Sequence, residues 1–207
     1  MHNPFEYSEK EYVAHLLSKL RAVDQHWLDG DLEKEQSGEQ RKSVDLVNHH
    51  RKAAIEVKDD CIAQPEVVDD TFGGGFSYDG HRLNKQFRDD IYGANRKFRE
   101  YPEYKTILLV RTNLMAQLVK TSIEGLHVFS KTRVREIHNE PPLGNWSISP
   151  GLVYKGRKNK HNKKEVGSFI IHNESGYHYF SNVFASEARK IDLEYCLEIT
   201  GLKIYGL

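Results

Sequence analysis

Asp45, Glu56 and Lys58 are the residues of this chain whose types and spacing can do chemistry. Val44 and Leu46 flank Asp45, and Ala53, Ile55 and Val57 interleave with Glu56 and Lys58. Such alternation marks strands, so 43–48 and 53–58 are read as two strands joined through His49-His50-Arg51-Lys52 into an antiparallel hairpin. Side chains alternate faces along a strand. Glu56 and Lys58 therefore share one face, about 7 Å apart and expected on a wet surface, while Ile55 and Val57 enter the core. With Asp45 across from Glu56, two carboxylates, the Val57 carbonyl and an ammonium converge, a donor set suited to Mg²⁺ with Mn²⁺ as its substitute. An ion held there polarises a phosphoryl group and acidifies water, and Lys58 orients that water or offsets charge growing on phosphorus. Phosphodiester hydrolysis is the expected chemistry.

Tyr12, Val13, Leu16, Leu17, Leu20, Val23 and Trp27 recur three or four apart and predict a helix over 8–28, ahead of these groups. Ser8 and Glu11 have the spacing of a capping box at its start. The polar stretch 29–41 reads as a loop, and 59–80, with Gly73-Gly74-Gly75, as an irregular segment. Leu83, Phe87, Ile91 and Phe98 predict a second helix over 82–100. Ile107-Leu108-Leu109-Val110 predicts a strand covered on both faces over 105–111, followed by a short helix over 114–121. Further strands are expected at 127–134, 151–155, 167–172 and 177–180, and a helix at 187–199. The fold class is α/β. The organisation is a core over 1–135 and a β-rich extension over 136–207, appended to the core or continuous with it, with a seam at Pro141-Pro142.

Asp45, ten intervening residues and then Glu56-Val57-Lys58 resemble the motif of the PD-(D/E)XK nuclease superfamily, although Val44 stands where the family's name pattern has proline. The resemblance covers roughly residues 8–121. It implies a restriction-endonuclease-like core, a mixed central sheet flanked by helices. It also implies Asp45 and Glu56 as metal ligands, Lys58 as the catalytic cation, and a further acid completing the metal site. Glu11 is the first candidate for that acid, followed by Glu35 and Glu33. Some branches add a glutamine on the next helix with a tyrosine four residues on; here Gln86 and Tyr92 are six apart. The implied activity is divalent-metal-dependent cleavage of DNA by a restriction or phage-defence type enzyme acting as a homodimer. Alternatives are a Holliday-junction resolvase or repair nuclease, a nuclease acting on RNA, and a nuclease-fold module that binds DNA or protein without cutting.

Composition limits the rest. Thirty basic and thirty acidic residues give zero formal net charge, so any site for a polyanion is local. Lys155, Arg157, Lys158, Lys160, Lys163 and Lys164 form one such cationic stretch, read as a hairpin contacting phosphates. Lys85 and Arg88 begin a second on the predicted helix, continued by Arg96, Lys97 and Arg99. Cys61 and Cys196 fit no ligand or disulfide spacing, which points to a reducing, cytoplasmic setting. The start lacks the pattern of a signal peptide, and no apolar run approaches the roughly 20 residues that span a bilayer. Neither a membrane partner nor an organic cofactor is expected. The glycine run lacks the Lys-Ser/Thr of a Walker loop. The eleven histidines form none of the spacings typical of zinc enzymes, and His49 and His50 read as exposed turn residues.

Overall fold

The strand-forming runs of the sequence assemble into one seven-stranded mixed sheet in the computed structural model of the protein. The structure describes residues 7–38, 42–61, 66–68, 75–77, 80–114, 116, 119–120, 165–182 and 185–207, with 60–88 described by backbone alone. Chain order is α1 (Glu9–Val23), β1 (Trp27–Asp29), α2 (Gly30–Ser37), β2 (Leu46–Asn48), β3 (Ala53–Cys61), β4 (Glu66–Val68), β5 (Gly75–Ser77), α3 (Gly80–Phe98), β6 (Lys105–Thr112), β7 (Ser168–Asn173), β8 (Gly176–Ser181), α4 (Leu193–Thr200) and β9 (Ile204–Gly206). The main sheet runs β1-β2-β3-β6-β7-β8-β9, and β4 and β5 pair separately. The expected strands at 127–134 and 151–155, the seam at 140–144 and the cationic stretch 155–164 lie outside the described residues.

At the centre, β3, β6 and β7 are parallel, and their apolar runs are buried on both faces. Helices have to cover such strands, because neither face carries enough polar residues to meet water. On one face α3 packs on β3, burying Ile91, Ala94 and Phe98 against Ala54, Leu108, Val110 and Phe169. On the other, α1 and α4 meet and close over Trp27, Leu46, Ile55, Val57, Ile107, Leu109 and Ile170. The strands β7, β8 and β9 belong to this same sheet, so the carboxy-terminal region contributes to the central layer.

Several local readings of the sequence change: the segment 59–80, read as irregular, holds the end of β3 and the strands β4 and β5, and the helix expected at 187–199 runs Leu193–Thr200. The first helix ends at Val23, because the Asp24 carboxylate accepts from the His26 backbone N–H (3.0 Å) and turns the chain. Trp27 and Leu28, which continue the helical spacing, instead form β1 on the edge of β2, with the Trp27 indole donating to Ile199 O at 3.0 Å. The polar segment after it contains α2, started by Asp29, whose side chain accepts from the amides of Asp31 and Leu32. Among the described residues no helix is long and apolar enough to cross a membrane.

Candidate active-site corner

The hairpin forms in the register the alternation requires. Leu46 pairs with Ile55, Val47 with Ala54 and Asn48 with Ala53. Asp45 sits one residue before β2, beside the continuing β3. Its Oδ2 accepts the Val57 N–H at 2.6 Å, and its own carbonyl accepts from Gly30 N at 3.0 Å. A Cβ at Gly30 would run into the Val44 carbonyl oxygen, so only glycine lets α2 start this close to the strand. The Asp45 backbone and side chain are thus held from opposite sides.

Glu56 lies on the same face as Ala54, under α3, and is fully buried at 0% exposure. This corrects the expectation of a wet surface. The face that looks polar in sequence is roofed by a helix, and the helix supplies the charge that makes burial tolerable. Glu56 Oε1 lies 2.9 Å from Lys58 Nζ and 2.7 Å from Lys97 Nζ, and Lys97 also donates to Oε2 at 2.9 Å. The two lysine side chains are 19% and 30% exposed, so the corner reaches water through its cations. A lone buried carboxylate would cost several kcal/mol; two ammoniums offset that cost.

Charge in the corner is unevenly shared. Burial, followed by the repulsion of Glu56, pushes the Asp45 carboxyl up to about 7, against the opposing pull of Lys97, Val57 N–H and Lys58. For Lys58, burial disfavours the ammonium, but Glu56, Asp45 and more distantly Glu9 outweigh it and raise its pKa. Both lysines bind Glu56, and Asp45 has no cation within salt-bridge distance among the described residues. Asp45 is therefore the acid short of positive charge.

Lys97 was unmarked as a site residue in the sequence, where it reads only as one of several cations on a helix. It reaches the corner because α3 packs across β3, and its helical turn is fixed from beyond. The buried Arg189 guanidinium collects carbonyls at the end of α3, donating to Phe98 O (3.1 Å), Tyr104 O (3.2 Å) and Tyr101 O, while Glu165 balances its charge at 2.7 Å.

The candidates for a third acid are placed elsewhere or aimed differently. Glu11 closes the capping box of α1, accepting from Ser8 N and Ser8 Oγ at 2.8 Å each, which holds its carboxyl below the usual range. Glu33 pairs with His49 Nε2 at 2.8 Å, towards the hairpin turn, and Glu35 is an exposed residue of α2. The acid of α1 whose charge reaches Lys58 is Glu9. Lys85 and Arg88 lie on α3, in the stretch described by backbone alone.

A second polar cluster is buried on the opposite face, where β6 and β7 pair Arg111 with His172. The Tyr12 hydroxyl is 2.7 Å from His172 Nδ1, the Tyr177 ring stacks on His172 at 3.9 Å, and the Arg111 guanidinium lies over the Tyr12 ring at 4.7 Å while pairing with Asp59. Burial, then the nearby Lys19 and Arg111 charges, push the His172 pKa down to about 4, so its imidazole is neutral near pH 7.

No protein-family model, curated protein or solved structure matches this chain.

Proposed function

We propose that the protein is a divalent-metal-dependent endonuclease of restriction-endonuclease-like fold that hydrolyses DNA phosphodiester bonds, acting inside the cell as a homodimer. The observation that carries this reading is the meeting of Asp45, Glu56 and Lys58 in one corner of the hairpin, with Asp45 short of positive charge.

The donor set fits a small hard cation. Two carboxylates face one another across the hairpin. Amide and carbonyl of one strand residue point to the same side, and the Val57 N–H is directed at Asp45, so its carbonyl is presented beyond the last β2 pair. Asp45, Glu56 and Val57 O would hold Mg²⁺, with Mn²⁺ as substitute. Bound there, the ion would polarise a phosphoryl oxygen and lower the pKa of water.

The chain's own groups do the rest. Lys58, anchored on Glu56, presents a fixed positive charge at the mouth of the corner, where it orients the attacking water or offsets charge developing on phosphorus. Lys97 neutralises the other half of Glu56 and keeps its carboxylate oriented. The Val57 N–H fixes one oxygen of Asp45 and leaves the other for a ligand. The cationic stretch 155–164 supplies phosphate contacts that position the duplex.

One observation favours a second reading, a nuclease-fold module that binds DNA or protein without cutting. Both ammoniums are already engaged by Glu56, and the Asp45 carboxyl, pushed up to about 7, can hold a proton of its own, so the corner can exist as a closed cluster without a metal. Incubating the protein with plasmid, single-stranded DNA and RNA in Mg²⁺ or Mn²⁺ separates the readings and identifies the substrate. Cleavage of duplex DNA is expected, and Lys58→Ala should slow it about 10²–10³-fold, the cost of removing one electrostatic contact to the transition state. Full activity in that variant would remove the mechanism. Absence of any cleavage, with no saturable Mn²⁺ site by calorimetry, would leave the binding module.

A further inference from the structure

The opposite end of the hairpin carries a different set of donors. Asp24 ends α1, His26 lies in the turn leading to β1, and His50 lies in the β2–β3 turn. One nitrogen from each imidazole and one Asp24 oxygen all lie within 4.8 Å of one another. His26 Nδ1 is 2.7 Å from Asp24 Oδ1, and the His26 and His50 rings face each other at 4.8 Å. The carboxylate is aimed by its surroundings. Its Oδ2 accepts from Asn48 Nδ2 at 3.0 Å and meets Arg51 Nε at 3.5 Å, and Asn48 is itself fully buried. This leaves Oδ1 on the side of the histidines.

We infer that Asp24, His26 and His50 form a site for one borderline transition-metal ion, Zn²⁺ by preference, at the turn end of the hairpin. Two imidazoles and a carboxylate suit Zn²⁺, Ni²⁺ or Cu²⁺ and are poor ligands for Mg²⁺. Metal–ligand bonds of about 2.0–2.2 Å put two donors on one ion no more than about 4 Å apart. The three groups have to close by roughly 1 Å, within reach of side chains on exposed turns. Asn48 supplies the hydrogen bond that ligating carboxylates require from behind, and Arg51 adds an ion pair on the same oxygen. Three protein donors leave a position for water. The ion would fasten the end of α1 to the tip of the hairpin that bears Asp45 and Glu56. The inference does not rest on the proposed nuclease activity, since it shares no residue with that corner.

The test is calorimetric titration of the full-length protein with Zn²⁺ alone in saturating Mg²⁺, together with melting curves. One saturable Zn²⁺ per chain is expected, with a rise in melting temperature. His50→Ala, an exposed turn substitution, should weaken Zn²⁺ at least about 100-fold and abolish the rise, while Asp45→Asn leaves both intact. Absence of a saturable site in the parent protein would overturn the inference. So would Zn²⁺ binding that survives both His50→Ala and His26→Ala, or that disappears in Asp45→Asn.

Discussion

Two clusters of polar side chains are buried on opposite faces of one sheet, and they solve the cost of burial in opposite ways. Under α3, the Glu56 carboxylate gathers two ammoniums, and Asp45 beside it is left short of charge. Under α1, Tyr12, His172 and Tyr177 are held neutral and stacked, and the buried Arg111 cation is matched by Asp59. The first arrangement leaves one acid without a cation among the described residues. The second has its guanidinium charge matched by a carboxylate. Similar burial of similar numbers of polar groups therefore yields a candidate reactive corner on one side and a structural joint on the other.

The sharpest way to break this contrast is to neutralise the buried acid. Glu56→Gln keeps the shape but leaves Lys58 and Lys97 facing an amide. It should destabilise the protein by about 3 kcal/mol in urea unfolding, the low end for a broken buried pair because both lysines reach water. A loss below about 1 kcal/mol would mean that the corner is already well hydrated.

The next effect comes from Asp45. Its folded pKa of about 7 lies above the ordinary value of 3.8. Between those values the folded state holds a proton that the unfolded chain has released, so without metal this group's contribution to stability falls as pH rises from about 4 to about 7. Metal binding has to expel that proton. Mn²⁺ affinity should therefore rise about tenfold per pH unit up to about pH 7 and then level off, and calorimetry in two buffers of different ionisation heat should show proton release below pH 7. A flat affinity from pH 5.5 to 8 would place the ion elsewhere.

The smallest effect belongs to the other face. Tyr12→Phe removes one hydroxyl next to a neutral imidazole and should cost about 1 kcal/mol, with cleavage unchanged within about twofold. A larger loss of activity would join the two clusters into one site.

The hairpin and its register were legible in the sequence because a period of two leaves few alternatives: once Leu46, Ile55 and Val57 face one core, Glu56 faces the other way, and the short turn sets Asp45 across from it. The central strands at 105–111 and 167–172 were legible for the related reason that an unbroken apolar run needs cover on both sides. The depth of Glu56 was not, because whether a polar face meets water depends on where a helix some forty residues later comes to rest. Lys97 was hidden by the same fact. The meeting of Asp24, His26 and His50 was equally out of reach, since His50 arrives only when the hairpin folds back beside the end of α1.

The contact between Gly30 and Val44 makes the start of α2 a mechanical stop for the residue that follows Val44. A methyl group added there would lift the helix like a wedge and swing Asp45 out of line with Glu56, although it touches neither carboxylate. The alignment of the two carboxylates thus depends on the start of a helix that supplies neither of them.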